Sequence, residues 1–190
     1  MASLCVMALG CLPLHAEGSA VPDMFITFPD SLVGKSVEIS IGGTSAFQMD
    51  WGDGVRKDYG GADYFSDTLR DNTLKAYGDG IMILLANNCN VTGIVINNEP
   101  SLSKILANNN HLTSIDVSMC SLLRGLYLSG NELTKVTLGD INNSSAVVID
   151  LSRYPARWTS VNGRISRKLK FPATNLPGSA FPLTMMSCIR

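Results

Sequence analysis

Histidine is scarce in this chain of 190 residues, which contains only His15 and His111. Because His15 belongs to a segment that we expect to be removed, a Ser/His or Cys/His mechanism would depend on His111 alone. The sequence also lacks a G-x-S-x-G motif, an H-E-x-x-H motif and a P-loop. Two catalytic carboxylates need no fixed spacing, so a glycosidase stays open at this point. Since the repeats described below rarely form the deep cleft that such a reaction needs, we predict no enzyme and no cofactor.

Cysteine is too sparse and too irregular for a disulfide framework. Cys5 and Cys11 lie in the amino-terminal segment, which leaves Cys89, Cys120 and Cys188. An odd number at irregular spacing fits neither paired disulfides nor a zinc site. The sequence therefore predicts no structural metal, and small buried thiols where two of these cysteines occupy repeat positions.

Acidic side chains are missing from the last part of the chain. All 16 Asp and Glu residues lie at or before Asp150, whereas residues 151–190 carry seven Lys or Arg. This asymmetry indicates either an arm from Arg153 to Lys170 that binds nucleic acid or an anionic surface, or a solvated end packed against an acidic neighbour. We favour the second interpretation and no nucleic-acid partner. Residues 155–190, with four of the eight prolines, are predicted to form a basic cap or tail.

No apolar run is long enough to cross a bilayer. The run "SLCVMALGCLPL" is followed by small residues at Ala16 and Ala20, so residues 1–20 are predicted to be a signal peptide or lipoprotein leader. "ALGC", which ends at Cys11, loosely resembles a bacterial lipoprotein cleavage box and would place a lipid anchor there. We therefore expect a secreted or cell-surface protein, with anchoring left open.

A sequence repeat of constant period dominates the middle of the chain. Three copies follow one another without a gap, beginning at Ile81, Leu102 and Leu123. The same columns hold apolar residues in each copy, namely Leu84, Ile105 and Leu126 in column four and Ala86, Ala107 and Leu128 in column six. Alternating columns indicate a short strand with one apolar face, and a second alternating pair later in each copy indicates another strand. A degenerate fourth copy, "VIDLSRY", follows after a two-residue insertion, which gives a repeat region of 81–154.

Column nine holds Cys89, Asn110 and Asn131. The pattern resembles the leucine-rich repeat L-x-x-L-x-L-x-x-[N/C]-x-L, in which the same Cys-for-Asn exchange occurs. An Asn amide can pair the backbone groups that face inward where the chain turns, and successive copies can stack as a ladder. Similar tightly spaced repeats occur in exported and cell-surface bacterial proteins. We predict a mainly β chain, with a leucine-rich repeat solenoid of three to four coils.

The preceding segment, residues 21–80, has a different character. "FITFP", "SVEISI" and "AFQMDW" predict strands joined by hairpins, in an antiparallel β unit that caps the solenoid. The tetrapeptide Trp-Gly-Asp-Gly (51–54) resembles the strand-end turn of polycystic-kidney-disease-type β-sandwich modules. Asp50, Asp53 and Asp58 raise the question of a calcium site. Their spacing does not match an EF-hand loop, so we interpret them as turn residues and predict no metal.

The first strand of each copy also presents an outward face. Its candidate ligand-binding residues are Ile83, Leu85, Lys104, Leu106 and Tyr127. The middle row, Leu85–Leu106–Tyr127, is apolar, although a solvated sheet face is normally polar. Either this row contacts a partner, or a cap or the carboxy-terminal tail covers it. We expect a binding module that recognises a protein or glycan through the repeat sheet, and the alternative is a structural segment of a cell-envelope adhesin or assembly.

Overall fold

The computed structural model describes residues 21–78, 80–139, 148–150, 160–162 and 169–170, the last three stretches by their backbone alone. The predicted leader and most of the segment 155–190 lie outside the described residues. Within them, the only helical element is a 3-10 turn at Asp30–Leu32. No described helix has the length and apolar character needed to span a membrane.

Fifteen strands make up the described chain. Those of the amino-terminal unit are β1 (Met24–Thr27), β2 (Ser36–Gly43), β3 (Phe47–Asp50), β4 (Lys57–Tyr59), β5 (Ala62–Thr68) and β6 (Thr73–Tyr77). Those of the repeat region are β7 (Ile81–Leu85), β8 (Gly93–Ile96), β9 (Lys104–Leu106), β10 (Ser114–Val117), β11 (Gly125–Tyr127), β12 (Lys135–Leu138) and β13 (Val148–Asp150). Two short strands follow, β14 (Ser160–Asn162) and β15 (Leu169–Lys170).

These strands form three sheets. The first has five strands in the order β4-β3-β6-β1-β8, the second has seven in the order β15-β13-β11-β9-β7-β2-β5, and the third has three in the order β10-β12-β14. None of them closes on itself within the described residues. The prediction of a mainly β chain is confirmed.

The repeat copies pair with one another in parallel and in register. Leu84 in β7 lies beside Ile105 in β9, which lies beside Leu126 in β11, and each step equals one repeat period. The same step places Ile115 in β10 beside Val136 in β12. Because side chains alternate along a strand, this register keeps every column-four residue on the same side of its sheet.

The amino-terminal unit shares both large sheets with the repeat region. β2 pairs antiparallel with β7, so the seven-stranded sheet changes from antiparallel to parallel at that strand. β8, in the first repeat copy, pairs antiparallel with β1. The boundary drawn at residue 80 from composition is therefore crossed by backbone hydrogen bonds in two sheets.

A single apolar core runs through both parts of the chain. Met24, Ile41 and Trp51 from the amino-terminal unit are buried in the same cluster as Leu84 and Leu126 from the repeats. Each fully buried aliphatic side chain contributes roughly 1.5–3 kcal/mol relative to exposure. The alternation in "SVEISI" supplies the inward residues of β2, and the spacing of the repeat columns supplies those of β7, β9 and β11.

Strand pairing continues past the third repeat copy. Val148 in β13 lies beside Gly125, one repeat period and two further positions away, which matches the insertion seen in the sequence. Beyond it, β14 pairs with β12 and β15 pairs with β13, both in parallel. The sequence predicts only a cap or tail for 155–190, because its periodicity is lost there. Strands as short as β14 and β15 carry too few side chains to display a period.

Candidate functional site

The parallel register assembles the five predicted ligand-binding residues on one face of the seven-stranded sheet. Ile83 pairs with Lys104, and Leu85 pairs with Leu106, which in turn pairs with Tyr127. We call the outward surface of β7, β9 and β11 the repeat face. Lys104 is exposed, whereas the other four residues are half-buried.

The row that contains Leu85 continues onto the amino-terminal unit, through a polar residue. Ser40 in β2 pairs with Leu85 on one side and with Tyr64 in β5 on the other. Tyr64 is 66% exposed, whereas Ser40 is only 4% exposed. The repeat period could not identify these two residues, because they reach the face through antiparallel pairing. The alternation of "SVEISI" does place Ser40 opposite the buried isoleucines, but it does not indicate which strand lies beside it.

Tyr127 lies against the backbone of its own strand. Gly125, two residues earlier, is buried, and a Cβ added there would lie 2.9 Å from Cε2 of Tyr127 and 3.3 Å from Cγ of Lys104. The absence of a side chain at Gly125 therefore lets the ring lean over the strand. Lys104 Nζ is 5.6 Å from the ring centroid, within the range of a cation–π contact.

A row of amides borders the apolar row. Asn87 Oδ1 accepts hydrogen bonds from the backbone N and from Nδ2 of Asn108, at 2.8 and 3.1 Å. Asn108 Oδ1 in turn accepts a 2.8 Å bond from the backbone N of Ser129. These side chains link one copy to the next at the end of the strands. They also make the edge of the repeat face polar.

A second row of asparagines lies inside the molecule. Asn110 is 4% exposed, and its Oδ1 accepts bonds from the backbone N of Cys89 and of Val91, both at 3.0 Å. Its Nδ2 donates to the carbonyl oxygens of Ala86 and Asn108, at 2.6 and 3.2 Å. The side chain thus pairs backbone groups in the turn that have no strand neighbour, so its role is structural.

Asn131 repeats two of these bonds one copy later, those with Leu112 N and Ala107 O, and makes a third that differs. It accepts from the backbone N of Leu112 at 3.1 Å and donates to the carbonyl oxygens of Ala107 and Leu128, at 2.7 and 2.8 Å. Cys89, in the same column of the first copy, donates through Sγ to the carbonyl oxygen of Glu38 in the amino-terminal unit, at 3.5 Å.

The thiols at the repeat positions are poor nucleophiles. Burial, helped by the charge of Glu38, raises the pKa of Cys89. Burial also raises the pKa of Cys120 to about 12, with smaller contributions from the charges of Glu99 and Asp116. Because only a thiolate reacts or binds a metal readily, neither cysteine is suited to chemistry at neutral pH.

The Trp-Gly-Asp-Gly turn follows β3. Asp50 Oδ1 accepts bonds from the backbone N of Gly52 and Gly54, at 2.8 and 2.9 Å, and Asp50 Oδ2 lies 3.2 Å from Lys75 Nζ. Burial favours the neutral acid, but these donors outweigh it and lower the pKa of Asp50. Trp51 is buried, and its Nε1 donates to Tyr59 Oη at 2.8 Å.

The other two carboxylates considered as calcium ligands, Asp53 and Asp58, each bind a different side chain. Asp53 Oδ2 lies 3.1 Å from Arg70 Nε, and Asp58 Oδ1 accepts a 2.8 Å bond from Gln48 Nε2. No group of three His, Cys, Asp or Glu side chains within the described residues converges on a point that could hold a metal ion.

The opposite side of the repeats has a different surface. β8 and β10 belong to different sheets, and a shallow open groove of about 320 Å³ lies between them, lined by Ile94, Val95, Ile96, Ser114, Ile115, Asp116, Ser118 and Met119.

His111 Nδ1 lies 3.0 Å from Glu132 Oε1 at the turns, and both side chains are more than half exposed. A single exposed imidazole paired with one carboxylate does not form a catalytic arrangement.

Comparisons with protein families, with curated proteins and with solved structures find no match to this chain.

Proposed function

We propose that this protein is an exported or cell-surface bacterial binding module. Its repeat face recognises a protein or a glycan by surface complementarity, without catalysis. The observation that carries this proposal is the grouping of Leu85, Leu106 and Tyr127 in one row on the outward side of a sheet, none of them fully buried. Contiguous apolar side chains on an outward face mark an interaction surface more often than an ordinary solvated one.

The repeat region is, in this proposal, a leucine-rich repeat solenoid in which one coil corresponds to one sequence copy. Support comes from parallel partners that lie one repeat period apart on two sides of the repeat, at Leu84–Ile105 and Ile115–Val136. Further support comes from the buried asparagine ladder at column nine. Such a solenoid is a rigid scaffold, which positions an outward face without a loss of conformational freedom on binding.

The test is binding of the purified chain to printed arrays of extracellular proteins and glycans. We expect Leu106→Asp to abolish binding, because it places a charge in the middle of the apolar row. The matched control is Met119→Asp, at a side chain that is 59% exposed on the opposite side of the repeats. Far-UV circular dichroism must be unchanged in both variants. Binding that survives Leu106→Asp, or that is lost equally in Met119→Asp, would contradict the proposal.

The location is tested separately by brief protease treatment of intact source cells, with antibody detection of the chain. Loss or release of the signal supports exposure at the cell surface. Recovery of the intact chain in a cytosolic fraction would refute export, and with it the interpretation of residues 1–20 as a leader.

A further inference from the structure

We infer that the line between β8 and β10, which we call the seam, is a two-state element of the fold. The two strands lie unpaired in the open state and pair in parallel in the closed state. The seam is on the side of the repeats opposite the repeat face, and the inference does not depend on what that face binds. It follows from the free edges of the two strands, from their register and from a hydrogen bond that competes with pairing.

Strand pairing on this side is interrupted between the first repeat copy and the second. β8 is the last strand of the five-stranded sheet and β10 the first strand of the three-stranded sheet, so within the described residues each has one paired and one free edge. On the other side of the same copies, β7 and β9 do pair. The turns that precede β8 and β10 are joined, since the backbone N of His111 donates to the carbonyl oxygen of Val91 at 2.9 Å. Beyond these turns, the groove of about 320 Å³ takes the place of strand pairing.

The antiparallel register of β8 with β1 determines which backbone groups of β8 face the groove. Asn97 N donates to the carbonyl oxygen of Asp23 at 2.8 Å, so alternate residues counted back from Asn97, Val95 among them, direct their N–H and C=O groups toward β1. Ile94 and Ile96 direct theirs toward the groove. Because buried backbone groups need partners, these groups bond either to water in the groove or to a strand beside them.

The repeat period brings β8 and β10 into register for pairing. Ile94 in β8 occupies the same column as Ile115 in β10, and Ile115 pairs with Val136 of β12 at that same step. The carbonyl oxygen of Thr113 accepts a 2.8 Å bond from the backbone N of Thr134 in the third copy, so the odd-numbered residues of β10 direct their backbone groups toward β12. The even-numbered residues direct theirs toward the groove and β8.

One backbone N–H group at the seam has two alternative acceptors. In a parallel pair at this register, the backbone N of Ser118 donates to the carbonyl oxygen of Ile96. In the structure it donates instead to Asp116 Oδ1, at 2.9 Å. The Asp116 carboxylate therefore holds, in the open state, a donor that pairing requires. Closing the seam releases this carboxylate and joins the five-stranded and three-stranded sheets into one.

Closure changes the arrangement of the copies on one side only. The pairing of β7 with β9 stays in place, so drawing β10 toward β8 rotates the second copy about that pair. The third copy moves with the second, because β9 pairs with β11 and β10 pairs with β12. The two states of the seam therefore differ in the tilt of these copies relative to the amino-terminal unit.

The experiment compares amide hydrogen exchange, measured by NMR, in the full chain and in Asp116→Ala, which removes the competing acceptor. We expect the amides of Ile94 and Ile96 to exchange roughly three- to tenfold more slowly in the variant, because loss of one hydrogen bond from the open state shifts the balance toward the closed state. The amide of Ser118 should stay protected, since Ile96 replaces Asp116 as its acceptor. If Asp116 only caps the turn, Ser118 will exchange faster while Ile94 and Ile96 do not change, and that result would overturn the inference.

Two further variants separate closure from a general effect on stability. Asp116→Asn keeps an Oδ1 acceptor, so its exchange should match that of wild type. Asp53→Ala is the matched control, because Asp53 Oδ1 accepts from the backbone N of Val55 at 3.1 Å, the same kind of bond in a turn away from the seam. Slower exchange at Ile94 and Ile96 in Asp53→Ala as well would overturn the inference.

The motion can also be tested in the wild-type chain without a substitution. Opening and closing of packed strands on the microsecond to millisecond timescale gives relaxation dispersion at the amides whose partners change. We expect dispersion at Ile96 and Ser118, and none at Val136, whose strand stays paired with β10 in both states. Flat profiles at both Ile96 and Ser118 would overturn the inference even if Asp116→Ala failed to fold.

Discussion

The buried asparagine ladder leads to a quantitative expectation for Asn110→Leu. In the folded protein, Asn110 pairs the backbone N–H groups of Cys89 and Val91 and the carbonyl of Ala86. Leucine is of similar size but cannot form hydrogen bonds, so these three groups would be left unpaired. Each unpaired buried group costs about 1–3 kcal/mol. Burial of the leucine side chain offsets about 2 kcal/mol of this. We expect a net loss of about 1–7 kcal/mol, a large share of the roughly 5–15 kcal/mol typical of a domain.

The assay is guanidinium unfolding followed by far-UV circular dichroism. Two further variants define the cause of the loss. Asn98→Leu makes the same chemical change at an exposed position and should cost about 0.5 kcal/mol or less. Asn110→Cys should lie between the two, because Cys89 occupies the same column in the first copy and its Sγ bonds the carbonyl of Asn87 at 3.3 Å. A loss below about 1 kcal/mol for Asn110→Leu would refute the reasoning, since the turn would then satisfy its backbone groups without the ladder.

Three other predictions concern the stability of the fold. Gly52→Ala should destabilise by about 1–3 kcal/mol in thermal unfolding, because Gly52 has φ +98° and a Cβ there would lie 2.3 Å from the backbone N of Asp71; an unchanged melting temperature would contradict this. The hydrogen bond from Lys57, opposed by partial burial, holds the pKa of Asp67 at about 2, below the ordinary 3.8. The ionised Asp67 carboxylate therefore stabilises the folded protein fully above pH 3.8, and this stabilisation is lost as the pH falls toward about 2. Acid unfolding of Asp67→Asn should lack this component, and a curve parallel to wild type through that range would refute it. Leu126→Ala should cost about 2–5 kcal/mol in chemical denaturation, because this side chain is fully buried in the core, and a cost below about 1 kcal/mol would argue against that burial.

The repeat strands could be predicted because the apolar pattern that defines each strand lies within a single copy of the repeat. Column four fills the inward position of β7, β9 and β11 with Leu84, Ile105 and Leu126, and the constant spacing fixed which residues lie beside one another. The predicted binding residues therefore assembled on one face as expected. Their ligand stays a prediction, because a repeat pattern determines where side chains point and not what they bind.

The pairing of the amino-terminal unit could not be read in the same way. β1 pairs with β8, so Met24 lies beside Ile96, although the two residues are far apart in sequence. No turn motif in the sequence indicates that these two strands pair. The same holds for Ser40 and Tyr64, which continue the row of Leu85 onto β2 and β5. The accommodation of the Tyr127 ring over Gly125 was also missed, although a glycine two positions before an aromatic residue on the same face of a strand is a usable signal.

The change of strand direction at β7 has a consequence for how a chain of this kind can lengthen. β7 is paired on both edges, with β2 on one side and β9 on the other, so new strands cannot be added at that end. A duplication of residues 102–122 would extend every column by one place on the other side of β9. The parallel pairing does not require steps of equal length, because Val148 pairs with Gly125 across one repeat period and two further residues. Residues inserted between strands are therefore compatible with the sheet, whereas a shift of one residue within a strand would turn its inward side chains outward.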